Sequence, residues 1–108
     1  GHERVVELLL RHGAEVNRLY SDGGTALMSA AHHGHERVVE LLIRHGAKFD
    51  LQDDFSETAL MGAANYGHER VVELLIRCGA EVNFQSSNGS TALMGAANNG
   101  HERVVELL

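Results

Sequence analysis

Gly34–Leu42 has the sequence GHERVVELL, and the same nine residues recur at Gly1–Leu9, at Gly67–Leu75 and at Gly100–Leu108. The four copies begin at residues 1, 34, 67 and 100, so the spacing is 33 residues every time. A fixed period of about 20 to 50 residues is typical of solenoids, in which each repeat buries its apolar face only against its neighbours. The period therefore predicts a solenoid.

The apolar residues of this stretch follow helical spacing. They are Val38, Val39, Leu41 and Leu42. Neighbours three and four positions apart predict an amphipathic helix, which continues to Arg44. Glu40 and Arg44 lie four positions apart in the favourable order, and we expect them to pair on a solvated outer face. Gly34 before the helix and Gly46 after it are predicted left-handed positions that close the preceding helix and this one.

A second, shorter helix is predicted ahead of each of the last three copies. Its three versions have the sequences TALMSAAHH, TALMGAANY and TALMGAANN. Thr25, Thr58 and Thr91 begin these segments, and we expect each threonine to cap its helix through the side-chain hydroxyl. The apolar positions are mostly alanine and glycine, whereas the following helix has valine, leucine and isoleucine. Small residues in one layer and large residues in the other predict a curved stack with the short helices on the inner side.

Composition and charge limit the partners and the location of the chain. It has 108 residues, a formal net charge of −6 and one cysteine, Cys78. The acidic balance argues against nucleic acid or an anionic membrane as a partner, since phosphate groups need a basic surface. A lone cysteine forms no disulfide framework, and no apolar run approaches the ~18 residues of a membrane span. We expect an intracellular, cytoplasmic protein, and a window from a longer array because the sequence opens and closes within a repeat.

The repeated motifs resemble the ankyrin repeat over the whole chain. In one repeat they are Gly23-Gly24-Thr25-Ala26-Leu27-Met28, Ala30-Ala31, Gly34-His35, Val38-Val39, Leu41-Leu42 and Gly46-Ala47. The resemblance implies an all-α solenoid of stacked helix-turn-helix units, each preceded by a β-turn finger. It divides residues 1–108, as a single array, into a leading half-repeat at 1–16 and repeats at about 17–49, 50–82 and 83–108.

The chain departs from the family pattern where the inner helix begins. Thr-Ala-Leu-Met stands in place of the family's usual Thr-Pro-Leu-His in all three repeats. Ala26, Ala59 and Ala92 therefore lack the restriction that proline places on the unfolded chain, which is worth about 0.5–1 kcal/mol at each position. We expect an array that is less stiff than an idealised one.

The resemblance implies a non-enzymatic module that binds a partner protein through its fingers and its inner helices. The candidate contact residues are those that vary between repeats at these places: Tyr20, Asp22, His32, His33, Asp53, Asp54, Phe55, Glu57, Asn65, Tyr66, Asn88, Asn98 and Asn99. Tyr20, Phe55 and Tyr66 are the candidate anchors, since exposed aromatic side chains supply much of the energy of an interface.

Two of these assignments have alternatives. The acidic run from Asp50 to Glu57 favours a basic partner segment, but such a run is also typical of a solvated loop. Phe55 and Tyr66 either contact a partner or belong to the framework, whereas Leu51 and Phe84 are expected to pack finger against finger.

The eight histidines do not predict a metal site. His2, His35, His68 and His101 occupy one repeat position, and adjacent helices of a stack lie about 8–10 Å apart, whereas zinc needs its ligand atoms at about 2.0–2.3 Å. His35 and its equivalents instead resemble the structural Gly-His of the family. No nucleophile elbow, phosphate-binding loop or paired carboxylates stand out, so neither a cofactor nor an enzyme activity is predicted.

A structural role is the alternative function. Near-identical repeats with mutually compatible ends are able to stack chain on chain into a filament or an extended scaffold. The dependence of molecular mass on concentration distinguishes such end-to-end self-association from a binding module.

Overall fold

The computed structural model describes residues 2–108, and all regular secondary structure in that range is helical. The helices are α1 (Glu3–Arg11), α2 (Ala26–His32), α3 (Glu36–Arg44), α4 (Ala59–Asn65), α5 (Glu69–Arg77), α6 (Ala92–Asn98) and α7 (Glu102–Leu107). The short even-numbered helices form an inner layer and the odd-numbered helices an outer layer. The array of helix pairs predicted from the period is confirmed; Gly1 lies outside the described residues.

The inner helices begin directly after the three predicted caps. The hydroxyl oxygens of Thr25, Thr58 and Thr91 accept hydrogen bonds from the backbone N–H groups of Met28, Met61 and Met94, with distances of 3.3, 3.2 and 3.3 Å. Each cap satisfies a backbone donor that the first turn of a helix leaves without a partner. The capping role predicted for the threonines is confirmed in all three repeats.

The outer helices bury one apolar face and expose a charged one. In α3 the buried residues are Val38, Val39, Leu41 and Leu42, and in α5 they are Val71, Val72 and Leu75. These are the positions that helical spacing selects in the sequence, so the predicted amphipathic helix is confirmed.

The predicted ion pair between Glu40 and Arg44 is wrong. Glu40 pairs with Arg37, three positions earlier, although the equivalent Glu73 and Arg77 of α5 do pair at four positions, with 3.3 Å between Oε1 and Nη2. Both spacings place side chains next to each other on a helix, and exposed pairs contribute little free energy, so a small change of rotamer selects one partner over the other.

Two further ion pairs join successive outer helices. Arg70 lies 3.8 Å from Glu36, and Arg103 lies 3.6 Å from Glu69. Each arginine thus reaches one repeat back along the array. These ion pairs link neighbouring outer helices across the charged outer face.

The inner helices pack against one another more extensively than the outer helices do. Alanine makes this close approach feasible: Ala31, Ala63, Ala64 and Ala96 are completely buried between the layers. Closer packing of the inner helices favours a stack that curves toward them, and this curvature stays a prediction. It would place the fingers and the inner helices on the concave side.

A histidine in each of the last two repeats binds the inner helix of the repeat before it. The Nε2–H of His68 donates to the carbonyl oxygen of His32 at 2.9 Å, and His101 bonds the carbonyl of Asn65 at the same distance. Gly34 makes room for the His68 ring, because a Cβ there would lie 2.5 Å from its Nδ1, and its φ of +73° favours glycine as well. The repeated Gly-His therefore serves a structural role.

No helix in residues 2–108 is long and apolar enough to cross a membrane. The boundaries at about residues 17, 50 and 83 stay a prediction, because one hydrophobic core runs through all the repeats.

Candidate functional site

Three turns project from the array before the inner helices. We name them by their outermost backbone pairs: the first finger is Tyr20–Gly24, the second is Asp53–Glu57 and the third is Ser86–Ser90. In each, the N–H of the fourth residue donates to the carbonyl of the first at 2.9–3.0 Å, which is the bond of a β-turn. The fingers are also joined to one another, since Asp54 N–H donates to the Asp22 carbonyl at 2.9 Å. The finger shape implied by the resemblance is confirmed.

The second finger is held by side-chain hydrogen bonds as well as by its backbone. Oδ1 of Asp53 accepts hydrogen bonds from the N–H groups of Phe55 at 2.9 Å and Glu57 at 3.0 Å. The amide of Gln52 donates to the carbonyl of Ser56 at 2.8 Å. These bonds hold the turn in one conformation, so Phe55 is presented to solvent without further ordering.

Ser56 has a left-handed backbone, with φ of +59°, and it is the one residue other than glycine with a positive φ in residues 2–108. The equivalent residues of the other fingers are Gly23 and Gly89. A non-glycine residue in this region costs about 1–2 kcal/mol, and such strain concentrates at functional sites. The bonds of Asp53 and Gln52 offset this cost at the finger tip.

Three of the predicted contact residues hold their own turns. Besides Asp53, Oδ1 of Asp22 accepts from Gly24 N–H at 2.9 Å, and Oδ1 of Asn88 accepts from Ser90 N–H at 3.1 Å. Asp and Asn favour turns because their side chains accept hydrogen bonds from the backbone two residues further on, so the sequence contained the signal for this role. Asp54 and Glu57, by contrast, are exposed carboxylates of the second finger.

The three candidate anchors are all exposed. The exposed fraction is 56% for Tyr20, 62% for Phe55 and 57% for Tyr66. Phe84 is partly buried against the hydrophobic core, so it belongs to the framework, while the finger-against-finger packing stays a prediction. Leu51 is half-buried.

Five rings lie side by side at the ends of the first two inner helices, and we call them the ring platform: His32, His33, His35, Tyr66 and His68. The ring centroids are 4.4 Å apart for His32 and Tyr66, 4.9 Å for His32 and His33, and 6.4 Å for Tyr66 and His68. His33 and His35 stack nearly parallel at 5.9 Å. The platform joins predicted residues of two repeats into one surface.

A groove of about 520 Å³ lies between the second and third fingers and the inner helices behind them. We call it the amide groove. Its lining contains six predicted contact residues: Glu57, Asn65, Tyr66, Asn88, Asn98 and Asn99. It also contains four that the sequence analysis missed: Ser86, Ser90, Gly95 and His101. Ser90 occupies the repeat position of Glu57, so extending the comparison of variable positions by one residue would have found it.

The remaining predicted residues do not line this groove. Tyr20 and Asp22 lie on the first finger, His32 and His33 belong to the ring platform, and Asp54 and Phe55 lie at the tip of the second finger.

Charge is divided between the two sides of the molecule. Seven of the nine Lys and Arg residues lie on the outer helices: Arg4, Arg11, Arg37, Arg44, Arg70, Arg77 and Arg103. Residues 16–35, 49–68 and 82–101, which form the fingers and inner helices, contain one cation, Arg18, and five carboxylates. Those carboxylates are Asp22, Asp50, Asp53, Asp54 and Glu57. Because Glu and Arg nearly balance on the outer helices, the net negative charge of the chain resides mainly on the finger side.

Among residues 2–108 no group of three or more His, Cys, Asp or Glu side chains is arranged to hold a metal ion. The rings of the platform contact one another side by side instead of converging on a point. Cys78, at the end of α5, is a free and partly exposed thiol.

Comparison with known proteins agrees with this architecture. A family model described as "Ankyrin repeats (3 copies)" matches residues 1–53 and residues 39–108, which together span the chain. No curated protein sequence matches the chain significantly. With stacked helix pairs, β-turn fingers and a family match over its whole length, the chain belongs to the ankyrin repeat family.

Proposed function

We propose that this chain is a non-enzymatic binding module that holds a partner protein against its fingers and the concave face of its inner helices. Ankyrin repeats serve in general as protein–protein interaction modules and are typically not enzymes. The proposal goes further by assigning the binding surface to particular residues of this chain.

One observation carries the proposal: most side chains that differ between repeats at the fingers and the inner-helix ends are exposed on the same side of the molecule. Among the constant residues, Leu27 and Leu60 are buried and His68 joins neighbouring repeats, although the equivalent Leu93 is 45% exposed. Residues that vary, such as Phe55 and Tyr66, are exposed on the finger and inner-helix side. A scaffold of constant residues that presents variable side chains is the arrangement expected of a recognition surface.

The charge of this surface favours a partner with a basic segment. The finger side carries five carboxylates and a single cation, Arg18, whereas the outer helices carry both signs in ion pairs. Such separation attracts a positively charged partner to the fingers and directs its approach there.

The test compares proteins captured by the immobilised chain with those captured by variants. A double variant, Phe55→Ala with Tyr66→Ala, removes two anchors from the proposed surface. Leu9→Ala is the matched control, because Leu9 is as exposed as Tyr66, at 57%, but lies on the outer helix α1. We expect the double variant to lose the captured partner and Leu9→Ala to retain it, with thermal unfolding unchanged in both.

Loss of the partner from Leu9→Ala with retention by the double variant would place binding elsewhere and would refute the proposal. End-to-end stacking remains the alternative function.

A further inference from the structure

The amide groove contains one carboxylate and no cation to neutralise it. Among its lining residues Glu57 is the only acidic one, and neither Lys nor Arg is present. Glu57 is exposed and makes no ion pair within residues 2–108. The imidazole of His101 is already engaged, since its Nε2–H donates to the Asn65 carbonyl. The negative charge in the groove is therefore available to a ligand.

The side-chain amides of Asn65 and Asn98 are also available, because neither forms a hydrogen bond to the described residues. Asn99 differs, since its Nδ2 donates to the Gly95 carbonyl at 2.9 Å. An asparagine amide has a donor and an acceptor side by side and so matches the backbone of an extended peptide. The groove thus offers backbone recognition next to a single negative charge.

Gly95 makes space for this arrangement. The amide of Asn65 lies directly over it, where a Cβ on residue 95 would collide with Oδ1. At the equivalent Gly62 an added Cβ would meet only ordinary contacts, 3.7 Å from His32. The groove floor in the last repeat is therefore built around the Asn65 amide.

An aromatic face completes the groove. Tyr66 is exposed, and its contact with the His32 ring, at a centroid separation of 4.4 Å, supports it from the neighbouring repeat. Tyrosine faces attract ammonium and guanidinium groups. A carboxylate ligand would instead meet Glu57, with no Lys or Arg in the groove to bind it.

The geometry favours an extended segment over a helix. An extended segment leaves its backbone N–H and C=O groups free to pair with the Asn65 and Asn98 amides, whereas a helix bonds these groups within itself.

We propose that the amide groove binds an extended segment of a partner protein, pairing its backbone with Asn65 and Asn98 and one Lys or Arg side chain with Glu57 and Tyr66. This inference rests on the proposed function and adds the site and the chemistry of the bound segment.

Selection of random linear peptides displayed on phage against the whole chain tests the inference. Selected peptides should share a Lys or Arg at one fixed position. Glu57→Gln should raise their Kd by about tenfold or more, the loss expected for a charge-assisted hydrogen bond. Glu73→Gln, which removes the same charge from the outer helix α5, should leave the Kd within about twofold, since exposed distant charges are screened.

A double-mutant cycle identifies the pair directly. Replacing the basic residue of the peptide by glutamine should raise the Kd by as much as Glu57→Gln does. The two changes together should raise the Kd little more than either one alone. Gly95→Ala should also weaken binding, because it displaces the Asn65 amide, whereas Gly62→Ala should not.

Selected peptides that lack a basic residue, additive costs in the cycle, or a selection that yields no binding peptide would each overturn the inference. The proposed function is judged separately. If peptide binding is unchanged by Glu57→Gln but abolished by Tyr66→Ala, the concave surface is still the binding site and only the inference about Glu57 fails. If no finger or inner-helix variant changes peptide binding, both the inference and the proposed function are contradicted.

Discussion

Ser56 distinguishes the second finger from the other two at the scale of single residues. Its left-handed backbone is one that Gly23 and Gly89 adopt with less strain. The hydrogen bonds of Asp53 and Gln52 keep it there, and the neighbouring Phe55 is exposed as a result. The strain and the exposed ring lie in adjacent residues of the same turn, which supports the second finger as a contact element.

Relieving the strain at Ser56 should stabilise the protein. We expect Ser56→Gly to raise the free energy of unfolding by about 0.5–1 kcal/mol, because the gain at positive φ exceeds the added entropy of glycine in the unfolded chain. The reverse change in the third finger, Gly89→Ser, should lower the free energy of unfolding by a similar amount. The loss comes from backbone strain alone, because a Cβ at residue 89 meets no other atom within 4 Å. Urea unfolding measures both, and equal stabilities of Ser56→Gly and the parent chain would contradict the account of strain.

The bond from His68 to the preceding repeat should contribute measurable stability. His68→Ala leaves the His32 carbonyl without its partner, so we expect a loss of about 1–2 kcal/mol in the free energy of unfolding. His45→Ala is the control, because Nδ1 of His45 bonds the Leu41 carbonyl in its own helix. Urea unfolding in which His68→Ala costs no more than His45→Ala would show that the contact between repeats is energetically neutral.

At the scale of elements, the sequence predicted the features that recur with the 33-residue period. It missed features that depend on the contacts of individual side chains. Three threonines at one repeat position indicated three caps, and each inner helix begins directly after its threonine. The predicted ion-pair partner of Glu40 was wrong because Arg37 and Arg44 both lie within reach on an exposed face. The turn-holding role of Asp53 follows from the preference of Asp for turns, which the sequence analysis did not apply. The contacts of the ring platform depend on neighbouring repeats, which periodicity does not specify.

The first position of an inner helix should accept proline. Ala26 follows Thr25, whose backbone is extended with ψ of 167°, as a residue before proline requires. We expect Ala26→Pro to raise the free energy of unfolding by about 0.5–1 kcal/mol by restricting the unfolded chain.

Ser29→Pro in the same helix is the control, because it removes the bond from Ser29 N–H to the Thr25 carbonyl and should cost about 3 kcal/mol. Chemical denaturation that finds Ala26→Pro destabilising would contradict the assignment of Ala26 as the first helical residue.

At the scale of the whole molecule, the two sides of the solenoid have different chemistry. The outer helices carry balanced charges that pair within and between repeats, and the finger side carries unpaired carboxylates, exposed aromatic rings and free amides. The inner helices pack closely through alanine, which brings the second group together. The fold thus concentrates side chains suited to recognition on one face.

Light scattering over a wide range of concentration separates the binding module from the stacking alternative. We expect the mass of the chain to stay at 11.7 kDa. A copy stacked in register would place α7 beside α1, two outer helices, and would leave the inner-layer space next to α2 empty. Growth into larger species with concentration would instead support end-to-end assembly.

Hydrogen exchange of the chain, free and bound to the captured partner or a selected peptide, tests the central claim most directly. The account predicts slower exchange on binding in the second finger, in α4 and in α6, with no change in the outer helices α3 and α5. Protection confined to α3 and α5, with the second finger exchanging at its free rate, would contradict the claim that this solenoid binds its partner through its fingers and concave face.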